Sequence, residues 1–162
     1  MEGGTPVLLM DELAWNPVVA DATPPSGVSV TIVGAATVPE FDVKRKDKDR
    51  DWEIEMEADQ PINVVTAIFT VQPGGHGGWH THPGPALFTV KTGTLTMYEG
   101  DDRTCTPRVF PAGTGSVEAG TSTHNHILRN ETDSVAETVV TFLLPVGAVL
   151  RTDLADPGDC RF

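Results

Sequence analysis

The sequence predicts an all-β domain, a sandwich or barrel of short strands. Glycine (16) and proline (13) are abundant in the 162 residues, which favours short elements joined by turns over long helices. Runs of β-branched or alternating apolar residues recur with turn signals every eight to twelve residues or so. No stretch carries the apolar spacing of an amphipathic helix. The length fits one domain with a real core, and no internal boundary is visible.

In chain order, residues 1–27 read as an irregular N-terminal segment, because Pro6, Pro17, Pro24 and Pro25 interrupt anything regular. "VSVTIV" (28–33) is a strand by β-branched content. "KRKDKDRD" (44–51) mixes both charge signs without an apolar residue, as a solvated loop or hairpin tip does. "WEIEMEA" (52–58) alternates apolar and acidic residues, the pattern of a strand with one wet face. "INVVTAIFTV" (62–71) is more continuously apolar, as a strand covered on both faces is. After the glycine turn at 74–78 come "ALFTVK" (86–91) and "TLTMYE" (94–99), joined by Thr92-Gly93. The last strands expected are "HNHILRN" (124–130) and "VAETVVTFLLP" (135–145), joined by the polar "ETDS". The domain proper spans 28–150, and 151–162 form a C-terminal tail.

The net charge of −12 and pI of about 4.6 argue against nucleic acid and acidic membrane surfaces, since both need a basic face. No apolar run approaches a membrane span. The first basic residue is Lys44, so the start of the chain lacks the basic region of a secretory signal. The cytoplasm is the default expectation, with secretion after removal of a signal as the alternative. Cys105 and Cys160 have no second Cys or His at metal-ligand spacing. Both lie in turn-like sequence, and two readings stay open: a disulfide stapling the tail to a loop, or two free thiols.

Four of the five histidines form two H-x-H pairs, His80/His82 and His124/His126. Residues at i and i+2 of a strand share a face, so each pair offers two imidazoles to one point. Two neighbouring strands then converge three or four. A single H-x-H is more often a polar strand face than a ligand pair. Two pairs in a chain with one other histidine favour a shared metal site, and neutral imidazole suits Fe, Zn, Mn, Ni or Cu. His76, in the glycine turn, reads as a surface histidine. Trp79 should point away from the face of His80 and serve packing.

The stretch "GGHGGWHTHPGPALFTVKTG" (74–93) resembles the first motif of the cupin superfamily, G(X)5HXH(X)3-4E(X)6G. Every spacing matches, but Ala86 stands at the glutamate position. "PAG" (111–113) and "HILRN" (126–130) resemble the two halves of the second motif, at a longer separation than usual. The resemblance implies a cupin-type antiparallel β-barrel or jelly roll, commonly a homodimer, with a divalent transition metal inside. His80, His82 and His126 match its three histidine ligands. His124 is a possible extra ligand or an outer partner. Ala86 would leave a vacant ligand position, with Phe88 and Val90 on the same face towards a substrate pocket. Glu118 and Glu137 are candidate general bases only in the sense that any acid is, and the pattern places neither in the site; Arg129 should face away from His126.

Three neutral imidazoles leave a divalent ion at net +2 where a carboxylate would make it +1. That favours anionic ligands and opens a coordination position. The expectation is a mononuclear metalloenzyme for a small organic, possibly anionic, substrate. Its chemistry would be oxygenase-type, or Lewis-acid isomerisation, decarboxylation or cyclisation. The alternative is a non-catalytic small-molecule binding or sensing barrel.

Overall fold

The computed structural model describes residues 21–120 and 124–162; most of the expected irregular segment 1–27 lies outside them. Among the described residues there is no helix, and none therefore long and apolar enough to cross a membrane. Twelve strands follow one another: β1 (Ser26–Val38), β2 (Phe41–Asp47), β3 (Trp52–Ala58), β4 (Ile62–His76), β5 (His80–Thr81), β6 (Ala86–Thr92), β7 (Thr94–Glu99), β8 (Arg108–Pro111), β9 (Gly115–Glu118), β10 (His126–Arg129), β11 (Ala136–Pro145) and β12 (Thr152–Asp153). Ten form one antiparallel sheet in the order β12-β5-β10-β4-β11-β6-β9, with β1 also on β4, and β7 joining β10 to β8. The sheet curls into a nearly closed barrel, as the all-β expectation required.

Period-two burial builds the core. Val65, Ala67 and Val71 of β4, Ala86, Phe88 and Val90 of β6, and Ala136, Val140, Phe142 and Leu144 of β11 all point inward. The outer side chains of β4 are only half-buried, so this strand has one fully covered face and not two. At the β6–β7 turn Gly93 has φ +74°, and a Cβ there would come 2.8 Å from the Cα of Ala136. Left-handed backbone and close approach together explain a glycine at this point. Asn130, just past β10, acts as a staple: its amide nitrogen donates to the carbonyls of Val71 (2.9 Å) and Ser134 (2.8 Å), and its oxygen accepts from Thr132. The last residue of the H(X)3N pattern is thus architectural.

The charged run divides differently from the expectation. Lys44 to Asp47 belong to β2, and only the remainder forms the hairpin tip. Lys44 pairs with Glu53 and Glu55, and Lys46 with Glu53, on one face of the β2–β3 hairpin; exposed pairs of this kind contribute little each. The opposite face carries Val43, Trp52, Ile54 and Met56, all exposed. The alternation in "WEIEMEA" marks two distinct faces, but neither is buried, because this hairpin is a separate two-stranded sheet.

The last residues wrap back onto the barrel. β12 pairs with β5, Leu154 N donates to Trp79 O (2.8 Å), and Thr23 N donates to Leu154 O (3.0 Å). Cys160 is bonded to Cys105, with Cα atoms 5.4 Å apart, an ordinary disulfide span. Of the two open readings, the staple is the one observed. Around it Trp79, Tyr98 and Ile127 form a second small core, Phe162 packs on Trp79 and Tyr98, and Arg129 lies over the Phe162 ring at 3.8 Å. Trp79 therefore packs, as expected.

The bridge closes a loop with a sequence separation of 55. A Cys160→Ser variant is expected to lose roughly 2–4 kcal/mol of stability, read as a lower urea midpoint, with the loss matched by reduction of the parent protein.

Candidate metal centre

His80 lies in β5 and His82 two residues on, just beyond that strand; His126 opens β10 directly opposite His80 in the antiparallel register. All three are buried, at 7%, 4% and 1% exposure. One ring nitrogen from each lies within 4.8 Å of the others, and ring centres are 4.3 Å apart for His80–His126 and 4.9 Å for His80–His82. The i, i+2 spacing and one strand pairing suffice to make this cluster.

The backbone sets the tautomers. Nδ1 of His80 lies 2.7 Å from the carbonyl of Gly78, and Nδ1 of His82 lies 2.7 Å from that of Leu150. A carbonyl only accepts, so in both rings Nδ1 carries the hydrogen and the neutral Nε2 is left with a lone pair. Burial holds the His80 pKa well below its ordinary 6.5; the charges of His126, Arg151 and His82 push the same way, against the Gly78 hydrogen bond. His80 is therefore neutral at physiological pH. Neither ring nitrogen of His126 has a hydrogen-bond partner. Backbone-oriented imidazoles with inward lone pairs are the usual outer-shell arrangement of a metal site, and an orphaned buried nitrogen needs such an explanation. The donor set fits a divalent transition metal.

One acid joins the cluster. Glu118, 8% exposed, ends β9. Its Oε2 is 3.2 Å from His82 Nε2 and its Oε1 is 3.3 Å from His126 Nε2. Burial pushes its pKa up, but the adjoining His126 and His82 pull it down more strongly, and the net effect holds the carboxyl well below the usual carboxylate range. In the β6–β9 register Glu118 stands opposite Ala86. The chain leaves β9 through Gly120, φ +65°, where a Cβ would strike the Gly84 carbonyl at 2.0 Å.

His80, His82 and Glu118 line a cavity of about 60 Å³, room for several waters. Val28, Phe69, Val71, Leu128, Val140 and Phe142 make its apolar walls, and Arg151 lines it too. Arg151 is 4% exposed and is bound to Asp153, Nε to Oδ1 at 2.7 Å.

The remaining expectations divide. His124 stays out of the cluster: its Nε2 pairs with Glu99 at 2.9 Å, and its ring centre is 6.3 Å from that of His126. His76 is half-buried, its Nδ1 accepting from Gly78 N. Ala86, Phe88 and Val90 share the inner face of β6 and fill the core, but none is among the cavity-lining residues. Glu137 pairs with Lys91 at the surface, and Arg129 points outward to Glu131 and Phe162. Two residues were missed in the sequence. Glu118 hides in the longer separation of the second motif, and Arg151 was assigned to a tail. An acid ending a short β-rich stretch is the one available signal for Glu118.

Residues 67–142 match the family model described as Cupin domain. Taken with the barrel, this identifies the stretch. Residues 67–142 are a cupin domain. Among solved structures, the polyketide cyclase RemF from Streptomyces resistomycificus is 14% identical, with TM-score 0.53, covering 84% of this cupin and 79% of that chain. A conserved protein with a double-stranded β-helix domain from Klebsiella pneumoniae gives 14% identity and TM-score 0.49, over 89% and 94% of the two chains. The Cupin_2 domain of an XRE-family transcriptional regulator from Enterobacter cloacae gives 14% and 0.46, over 74% and 99%. These likenesses concern the fold. No curated protein sequence matches this cupin significantly.

A histidine with a depressed pKa adds stability that is present above its ordinary value and lost as pH falls below it. Metal-free protein should accordingly lose thermal stability as pH drops below 6.5, because the unfolded chain takes up a proton that buried His80 refuses. His80→Asn should flatten that part of the profile, measured as Tm against pH.

Proposed function

We propose that this cupin is a mononuclear metalloenzyme that acts on a small organic molecule, with His80, His82 and His126 holding the metal. The observation that carries the reading is the convergence of three buried imidazoles, two with backbone-fixed tautomers and one with no hydrogen-bond partner, beside an apolar cavity that His80 and His82 line. A structural histidine cluster would satisfy its nitrogens within the protein. A bound divalent ion supplies Lewis acidity to a carbonyl or enolate oxygen, or oxygen activation if it is redox-active.

The chain's own residues then define what enters. The apolar walls exclude water and select a small, largely hydrocarbon body. The polar groups lie together, so the substrate's oxygen-bearing part faces the histidines. Arg151 adds a guanidinium to that wall, which favours an anionic or enolisable substrate, although Asp153 neutralises part of its field. The choice between oxygenase-type chemistry and isomerisation, decarboxylation or cyclisation follows the identity of the metal.

The Cys105–Cys160 bridge weighs against the cytoplasmic expectation, since such bonds persist in oxidising compartments. The homodimer that the cupin resemblance implies belongs to the same reading, and the exposed apolar face of the β2–β3 hairpin offers it a surface.

The test is metal content by ICP-MS after purification without added metal or chelator, repeated after reconstitution with Fe, Mn, Ni, Cu and Zn. One transition metal per chain is expected, with its loss in His80→Ala and His126→Ala variants that keep the parent's circular dichroism. A parent protein that takes up none of the five would sink the reading.

A further inference from the structure

The Glu118 carboxylate has no role in the three-histidine account, yet it is 8% exposed and faces two members of the cluster at 3.2 and 3.3 Å. A carboxylate is costly to bury unless it is paired. Its partners cannot serve as ordinary hydrogen-bond donors while neutral. His82 already commits its one N–H to Leu150, so its Nε2 presents a lone pair to the Glu118 oxygen. At His126 the contact is made without a hydrogen bond to either ring nitrogen. Acceptors therefore face acceptors at close range. That arrangement repels unless a positive charge lies between them, and a divalent cation touching both sides removes the repulsion.

We propose that Glu118 is the fourth protein ligand of the metal, supplied from β9 across the sheet in place of Ala86. The inference rests on the metal reading above. The register explains how the substitution works. Ala86 and Glu118 are paired residues of adjacent antiparallel strands, and directly opposed side chains leave the same face with Cβ atoms about 4.5–5.5 Å apart. A carboxylate at 118 thus reaches the inner space that a long side chain at 86 would otherwise occupy. The methyl of Ala86, fully buried, leaves that space open. With Glu118 bound, the site carries net +1 and not the +2 of three imidazoles alone, which weakens the pull on anions that an all-histidine site would exert.

The competing account makes Glu118 only the counter-ion of protonated His82 and His126. Cobalt(II) separates the two, because its visible absorption reports the ligand set and its titration gives the affinity. The variants are Glu118→Gln, which keeps the shape and removes the charge, and the double variant Ala86→Glu/Glu118→Ala, which moves the carboxylate to the facing strand. Glu118→Gln is expected to weaken cobalt(II) binding by at least the roughly 10–100-fold that even an outer-shell partner is worth, with a changed visible spectrum. The double variant is expected to recover much of that affinity. Metal-free Tm values for each chain show that the comparison is between folded proteins. Cobalt(II) bound by the parent and by Glu118→Gln with equal affinity and the same spectrum overturns the proposal and leaves the three-histidine site standing. A parent protein that binds no cobalt(II) overturns both.

Discussion

Three imidazole nitrogens and a carboxylate, all withdrawn from water and turned towards one point, repel one another unless something positive sits among them. The rest of the molecule is arranged around that constraint. The barrel supplies a dry interior in which the repulsion is strong, and the backbone removes the freedom to escape it. Gly78 and Leu150 fix which nitrogen of His80 and His82 carries hydrogen, so neither ring can turn its lone pair away without leaving a carbonyl unpaired. A fold that merely tolerated polar side chains inside would have no use for this orientation.

The same constraint explains why both surfaces of the histidine-bearing strands are covered. Inside, β5 and β10 face the apolar cavity and the core. Outside, Trp79, Tyr98 and Ile127 are roofed by the C-terminal segment with its disulfide and Phe162. β5 has two residues, too short to hold its position by its own ladder. Pairing with β10 on one side and β12 on the other holds it in register. The precision of the histidine cluster is therefore borrowed from the closing residues of the chain.

What the sequence revealed follows from how local each feature is. The H-x-H pairs were legible because side-chain direction at i and i+2 is a property of the strand itself. β6 and β11 were legible by their apolar period, and Gly93 by a turn that only glycine enters comfortably. Glu118 was not, because its place depends on the register between β6 and β9, and register is set by turns and packing that no short stretch encodes. The same holds for Arg151 and β12, whose residues look like a tail until β5 is there to pair with them. The β2–β3 hairpin failed in the opposite way. Its alternation correctly separated two faces, but alternation does not say whether anything covers the apolar one.

The clasp of β12 on β5 also imposes an order on the making of the protein. His82 gains its Leu150 partner, and His80 its strand neighbour Asp153, only when those residues have left the ribosome. Until then the first two histidines sit on a segment that lacks both its β12 neighbour and the carbonyl that orients His82. The arrangement of the cluster is therefore completed from far down the chain, Leu150 lying 68 positions after the His82 ring it orients.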